Sequence, residues 1–297
     1  NGGSSSSVSV IDVDNDGDLD IFITNRFGQD NFLYFNNGDG QFTLLTEGNI
    51  VSDGGDSMAA AWADYNRDGR LDVVVVNGSG QSNFLYQQTG GGGFQRVYNT
   101  PISDERLTSS SAVWADYDND GDQDLFIANT NNENNDLFRN DGGVFTEIET
   151  GEIVNDGGHS IGGVWGDYDN DGDLDLLVTN SRIVEPNFFY ENNGDGTFTK
   201  LHSGVILSNL GNSHGASWTD YDNDGDLDLL VANDQGNKNC LFSNNGDKSF
   251  IKITNAITEQ MSNSYGTAWA DFDNDGQVEL WDRGFSYPPS VGVTRYG

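Results

Sequence analysis

Trp165-Gly-Asp-Tyr-Asp-Asn-Asp-Gly-Asp-Leu-Asp-Leu-Leu-Val-Thr179 is the stretch whose reading decides the fold. Its centre, Asp167 to Asp175, is one of six acidic nonapeptides in 297 residues. The others are Asp12-Val-Asp-Asn-Asp-Gly-Asp-Leu-Asp20, Asp64 to Asp72, Asp116 to Asp124, Asp220 to Asp228 and Asp271 to Glu279. Their starts are 52, 52, 51, 53 and 51 residues apart. A fixed period of this length is the signature of a repeat architecture.

The residues around the nonapeptide give the secondary structure of one repeat. Ser160-Ile-Gly-Gly-Val-Trp165 is small and apolar, and Leu174-Asp-Leu-Leu-Val-Thr179 is a run of strand length. Asn187-Phe-Phe-Tyr190 follows, then Asn192-Asn-Gly-Asp-Gly196 and Thr197-Phe-Thr-Lys-Leu201. That is four short strands separated by turn chemistry, with Asn-Gly-Asp-Gly as a hairpin signal. The intervals are too short and too rich in Gly and Asn for helices, and they lack a 3.6-residue apolar stripe. One such unit cannot bury both of its faces. Radial stacking of four-stranded units is the β-propeller solution; a linear solenoid is the alternative, but its repeats are usually shorter.

The expected class is therefore all-β, a propeller of about six four-stranded blades in a single domain, 8–297. Residues 1–7 read as linker, and the blades fall at about 8–50, 57–104, 109–150, 160–207, 212–257 and 264–297. Trp62, Trp114, Trp165, Trp218 and Trp269 each stand two residues before a loop, the place Val10 takes in the first repeat. They read as packing between blades, with a ring of ligand-stacking tryptophans as the sharper alternative. The sixth repeat departs from pattern after Val278-Glu-Leu-Trp281. Its blade is expected to be incomplete: the native chain continues past Gly297, the blade stays short, or another molecule completes it. A chain that starts Asn-Gly-Gly-Ser without Met reads as a processed or partial product.

Composition narrows the function. The net charge is −35, and 27 of the 48 acidic residues lie inside the nonapeptides. Six divalent cations would still leave −23, and the 13 Lys and Arg are scattered. Nucleic acid and anionic membrane surfaces are thus excluded as expected partners. No apolar run approaches the roughly 18 residues of a membrane span, so no membrane insertion is expected. The single cysteine, Cys240, reads as a small buried apolar residue. His159, His202 and His214 read as polar loop residues, with His159 and His214 placed before the first strands of repeats four and five. No nucleophile elbow occurs, and the basic residues a polysaccharide lyase needs are few. Asn77-Gly-Ser79 is a lone glycosylation sequon.

The loop chemistry points to a hard cation. Ca²⁺ takes six to eight oxygens at about 2.3–2.6 Å. Carboxylates at positions 1, 3 and 5 of a loop converge when the backbone curls, and Gly at position 6 permits the turn: Gly17, Gly69, Gly121, Gly172, Gly225 and Gly276. Position 7 offers its carbonyl and position 9 a last carboxylate. An EF-hand would require Glu at position 12, where this chain has Ile23, Val75, Ile127, Val178, Val231 and Asp282. Mg²⁺ prefers more water and Zn²⁺ prefers His and Cys.

Trp-Ala-Asp-Tyr-Asp-Asn-Asp-Gly-Asp-Leu-Asp-Leu with a later Asn-Asn-Gly-Asp-Gly turn resembles the FG-GAP/VCBS repeat, from about Val8 to Trp281. That family includes the integrin α-subunit head, which has seven blades, and many secreted bacterial proteins. The resemblance implies about six Ca²⁺, one per loop between the first two strands of a blade. Its implied ligands are Asp12, Asp14, Asp16, Asp18 (by its carbonyl) and Asp20 in loop one, then Asp64, Asn66, Asp68, Arg70 and Asp72 in loop two. Loops three and four supply Asp116, Asp118, Asp120, Asp122, Asp124, and Asp167, Asp169, Asp171, Asp173, Asp175. Loops five and six supply Asp220, Asp222, Asp224, Asp226, Asp228, and Asp271, Asp273, Asp275, Gln277, Glu279. Loop two carries the least charge and is expected to bind most weakly.

The expected function is non-enzymatic: a secreted or cell-surface calcium-binding scaffold for adhesion or assembly. Its partner is a protein or glycan, with a homo-oligomer or filament built through the last blade as a variant. A carbohydrate-binding, lectin-like propeller is the alternative.

Overall fold

The computed structural model of the chain describes residues 2–104, 106–181, 185–208, 211–259, 263–271, 273, 275, 277–284, 293 and 294. Gly276 and Pro288-Pro289 lie outside the described residues. The chain divides into two compact units, 1–149 and 150–297. Each unit holds three successive sheets.

In the first unit, blade one is β1 (Ser5–Ile11), β2 (Asp20–Asn25), β3 (Phe32–Asn36) and β4 (Phe42–Leu44). Blade two is β5 (Ser57–Ala63), β6 (Asp72–Asn77), β7 (Phe84–Gly90) and β8 (Gly93–Val97). Blade three is β9 (Ser109–Ala115), β10 (Asp124–Asn129), β11 (Asp136–Asp141) and β12 (Val144–Glu147). In the second unit, blade four is β13 (Ser160–Gly166), β14 (Asp175–Asn180), β15 (Phe188–Asn192) and β16 (Phe198–Lys200). Blade five is β17 (Asn212–Thr219), β18 (Asp228–Asp234), β19 (Cys240–Asn244) and β20 (Phe250–Ile253). The sixth sheet has three described strands, β21 (Ser264–Ala270), β22 (Glu279–Gly284) and β23 (Val293–Thr294). All are antiparallel meanders in chain order. The class is all-β, of β-propeller type.

The register explains the repeat. Ile11 pairs with Asp20, Ala63 with Asp72, Ala115 with Asp124, Gly166 with Asp175, Thr219 with Asp228 and Ala270 with Glu279. Position 9 of every nonapeptide is thus the first residue of the second strand, paired with the residue just before position 1. The acidic loop hangs from that rung.

The second strands β6, β10, β14 and β18 are buried on both faces, which is why they read as continuous apolar runs. Val73, Val74, Val75 and Val76 are all fully buried. Val73 and Val75 pack with Val13, Phe22 and Leu33 of blade one, while Val74 and Val76 pack with Leu125, Ile127 and Phe138 of blade three. Trp62, Trp114, Trp218 and Trp269 fill seams between blades, as expected. Trp62 meets Phe22 of blade one edge-on at 5.4 Å, Trp114 lies parallel to Tyr65 of blade two at 6.2 Å, and Trp218 meets Phe189 of blade four at 6.1 Å. Cys240 is buried, as read from its neighbours.

Two expectations need correction. Residues 5–7 are not linker: β1 starts at Ser5 because serine hydroxyls tie it down. Ser6 Oγ lies 2.9 Å from Thr24 Oγ1 and donates to the Ser57 carbonyl at 2.5 Å. His214 does not precede a strand but lies within β17, against the Asp234 carboxylate (3.6 Å) and the Tyr265 ring (4.9 Å).

Candidate metal centres

Each loop curls by satisfying its own backbone. Position 1 takes amide hydrogens with both oxygens: Asp12 Oδ1 accepts from Asp16 N and Oδ2 from Gly17 N, and Asp167 and Asp220 do the same. Position 5 accepts from position 7, as Asp16 does from Asp18 N at 2.9 Å. The glycine at position 6 has φ between +81° and +98° in loops one to five, where a side chain would be strained.

Position 9 is buried beneath the loop. Asp20 Oδ2 accepts from Val13 N and Oδ1 from Asn36 N, both at 2.8 Å. Asp124, Asp175 and Asp228 repeat this with Tyr117 and Asn140, Tyr168 and Asn192, Tyr221 and Asn244. Burial outweighs those amides and pushes Asp124 and Asp175 up to about 7 and Asp228 to about 6. Burial, then neighbouring carboxylates, also raises Asp14, Asp118 and Asp222 at position 3.

Ligand atoms of positions 1, 3 and 9 lie within 4.8 Å of one another in four loops: Asp12, Asp14, Asp20; Asp116, Asp118, Asp124; Asp167, Asp169, Asp175; and Asp220, Asp222, Asp228. Loop six gathers Asp271, Asp273, Asp275 and Glu279. Position 5 joins the cluster only there. In loops one, three, four and five, Asp16, Asp120, Asp171 and Asp224 stand outside it. The inward oxygens Asp14 Oδ1, Asp116 Oδ1 and Asp118 Oδ1 are buried without a hydrogen-bond donor. An all-oxygen cluster with orphaned carboxylate oxygens fits a hard divalent cation.

Position 7 side chains do other work. A Cβ on Gly38, Gly194 or Gly246 would fall 2.5 Å from Asp18, Asp173 or Asp226 Oδ2, so these carboxylates abut the β3–β4-type turn of their own blade. Asp122 Oδ2 accepts from Gly142 N at 2.9 Å. Loop four also meets a tethered cation. Lys248 stands where sister turns have Gly40 and Gly196, at φ +65°, and its ammonium lies 2.5 Å from Asp169 and 2.7 Å from Glu191.

Positions 2 and 4 escaped the sequence reading. Position 2 is buried in Val13, Tyr65, Tyr117 and Tyr168, and Val13, Tyr65 and Tyr168 pack with the following blade. Its carbonyl accepts an amide from the next blade's third strand: Gln88 to Val13 at 2.5 Å, Asn140 to Tyr65 at 2.7 Å and Asn244 to Tyr168 at 2.6 Å. Position 4 is left-handed in Asn15, Arg67, Asn119, Asn170 and Asn223, with φ of 57–61°. It reaches forward: Asn15 to the Gly69 carbonyl, Arg67 to those of Asp120 and Gly121, and Asn170 to Asp226. The recurrent Asn at position 4, a residue enriched in that conformation, was the available signal.

FG-GAP-like repeats match residues 12–75, 65–127, 116–178, 167–231 and 220–281. The chain belongs to the FG-GAP-like repeat family. The match runs from one acidic loop to the second strand beyond the next, so the family unit spans the seam just described. The chain is 32% identical over 190 residues to Homo sapiens cartilage acidic protein 1, covering 60% of this chain and 28% of that protein. The Mus musculus protein is 31% identical over 190 residues, with 29% of its length covered. The chain thus spans less than a third of the curated relatives it matches. Among solved structures, one described as showing specific recognition of non-reducing terminal N-acetylglucosamine by an Agrocybe aegerita lectin aligns with a TM-score of 0.64. It is 19% identical and covers 94% of this chain and 74% of that one, a likeness of fold alone.

Proposed function

We propose that this FG-GAP-like chain is a calcium-stabilised scaffold for adhesion or assembly at the cell exterior, with no catalytic role. The observation that carries this reading is the convergence of positions 1, 3 and 9 in loops one, three, four, five and six. Bound Ca²⁺ would supply charge neutralisation at those carboxylates and fix the loops that carry the blade seams. Extracellular modules bind calcium at about 10⁻⁴–10⁻³ M, the range in which such a scaffold stays loaded outside cells. Likeness to a relative named for cartilage and acidity accords with that placement. Among the described residues no helix is long and apolar enough to cross a membrane. The edge of the sixth sheet is where assembly is proposed, since an open strand edge accepts another strand. Isothermal titration with CaCl₂, with light scattering of the loaded protein, tests the reading. Absence of calcium binding at millimolar concentration refutes it, and a strict monomer refutes the assembly variant.

Glycan binding is the second reading. A polar cavity of about 250 Å³ beside β19 and β20 is lined by Asn237, Lys238, Asn239, Lys252, Thr254 and Thr258. No aromatic ring lines it among the described residues, so it lacks a stacking platform for a sugar face. A glycan array that binds no sugar removes this alternative.

A further inference from the structure

Loop two departs from its sisters in how it closes, and the departure is built from several side chains. At position 3 the sister loops carry Asp14 or Asp118, each with an inward oxygen that is buried and has no donor. Loop two carries Asn66 there. Its orientation is set by two bonds: Oδ1 accepts from Asp68 N at 3.0 Å, and Nδ2 donates to Asp72 Oδ2 at 3.0 Å. In the sister loops that position-9 oxygen takes the backbone N–H of position 2 beneath a cluster of carboxylates. The amide hydrogens of Asn66 lie where a cation would meet the position-9 oxygen.

Position 7 shows the same substitution of a tethered group for an ion. Arg70 replaces aspartate, and its guanidinium pairs with Asp68 at position 5 of the same loop while Nε donates to the Gln88 carbonyl at 3.2 Å. Position 1 keeps its structural duty, because Asp64 Oδ1 and Oδ2 accept from Asp68 N and Gly69 N at 2.9 and 2.8 Å. Every carboxylate of loop two therefore has a donor from the protein itself: backbone amides for Asp64, Arg70 for Asp68, and Asn66 with Gln88 N for Asp72.

We propose that loop two is a cation-independent member of the series, closed by Asn66 and Arg70 in place of Ca²⁺. This rests on the reading that the sister loops bind calcium, and it goes beyond weak binding: the loop reaches its folded geometry without an ion. A sixth ion would need Asn66 to turn its amide away from Asp72 and Arg70 to leave Asp68, so the loop's own groups compete with the metal.

Calcium stoichiometry of the full chain tests this, measured by titration calorimetry. Asp64→Asn leaves the number of bound ions unchanged, whereas Asp116→Asn lowers it by one. The double variant Asn66→Asp with Arg70→Asp, which rebuilds the sister pattern, raises it by one. Loss of one ion in Asp64→Asn overturns the proposal, as does no gain in the double variant when Asp116→Asn loses one. A second readout needs no calcium. In excess chelator Asn66→Asp lowers the melting temperature by several degrees, because a second carboxylate then faces Asp72. The reverse exchange in loop three, Asp118→Asn, raises it. No shift in either variant overturns the proposal even where calcium binding itself fails, and that failure alone sinks only the function proposed above.

Discussion

Replacing Asn140 by alanine isolates the seam between two blades. The side chain is fully buried and makes three hydrogen bonds: Nδ2 to the Tyr65 carbonyl of blade two at 2.7 Å, Nδ2 to the Gln123 carbonyl at 3.0 Å, and Oδ1 from Gly143 N at 2.7 Å. Each buried bond contributes about 1 kcal/mol net, and orphaned partners add to the loss, so Asn140→Ala is expected to cost about 3 kcal/mol. The chain supplies its own control. Asn36 holds the same place in blade one, but its bonds are to the Leu19 carbonyl at 3.2 Å and from Gly38 N at 3.1 Å, both at a wet edge. Water replaces those contacts, and Asn36→Ala is expected to cost about 1 kcal/mol. Urea unfolding in saturating calcium, with the slope unchanged between variants, reads the difference. Two variants within about 0.5 kcal/mol of each other would refute the claim that the amide-to-carbonyl bond between blades carries the excess.

Three further predictions follow from the same geometry. Asp124 and Asp175, raised to about 7 by burial, hold protons in the fold that the unfolded chain releases near pH 4. In chelator, stability is therefore full below about pH 4 and falls as pH rises toward 7; calcium, which needs the ionised form, reverses the trend. Melting curves from pH 5 to 8 with and without calcium check the crossing. Lys248→Gly withdraws the ammonium from Asp169 and puts glycine at φ +65°, and it is expected to tighten calcium binding at loop four roughly threefold to tenfold. Trp218→Ala removes the ring packed on Phe189 and Phe250, and is expected to cost about 3 kcal/mol in the same urea assay.

Much of the fold was legible because each repeat writes its local rules in full. The β-branched apolar residue at position 12 excluded helical loop-flanks, and the structure places it within the second strand, as with Val75 and Ile127. The doubly buried strand read as an unbroken run because blades cover both its faces. The set at positions 1, 3 and 9 was legible as alternating carboxylates. What the sequence hid was chiefly non-local. Lys248 acts on Asp169, 79 positions upstream, and Gln88 and Asn140 act on carbonyls 75 positions back. Pattern within a repeat carries no mark of such partners. Ser5 to Ser7 read as linker because serine propensity favours turns, whereas hydroxyl bonds to neighbouring strands recruit these residues into β1.

The seam bonds have a consequence for the order of folding. The carbonyl of Tyr65 receives its amide from Asn140, and that of Tyr168 from Asn244, so the donor is always synthesised later than the acceptor. A growing chain thus carries blade one, two or four, once finished, with one buried carbonyl still waiting until the third strand of the following blade emerges. At about 5–20 residues per second, the 75 residues between Tyr65 and Asn140 take on the order of 4–15 seconds to make. During that interval the newest blade is the least protected part of the nascent protein; blade two completes blade one, blade three completes blade two, and blade five completes blade four.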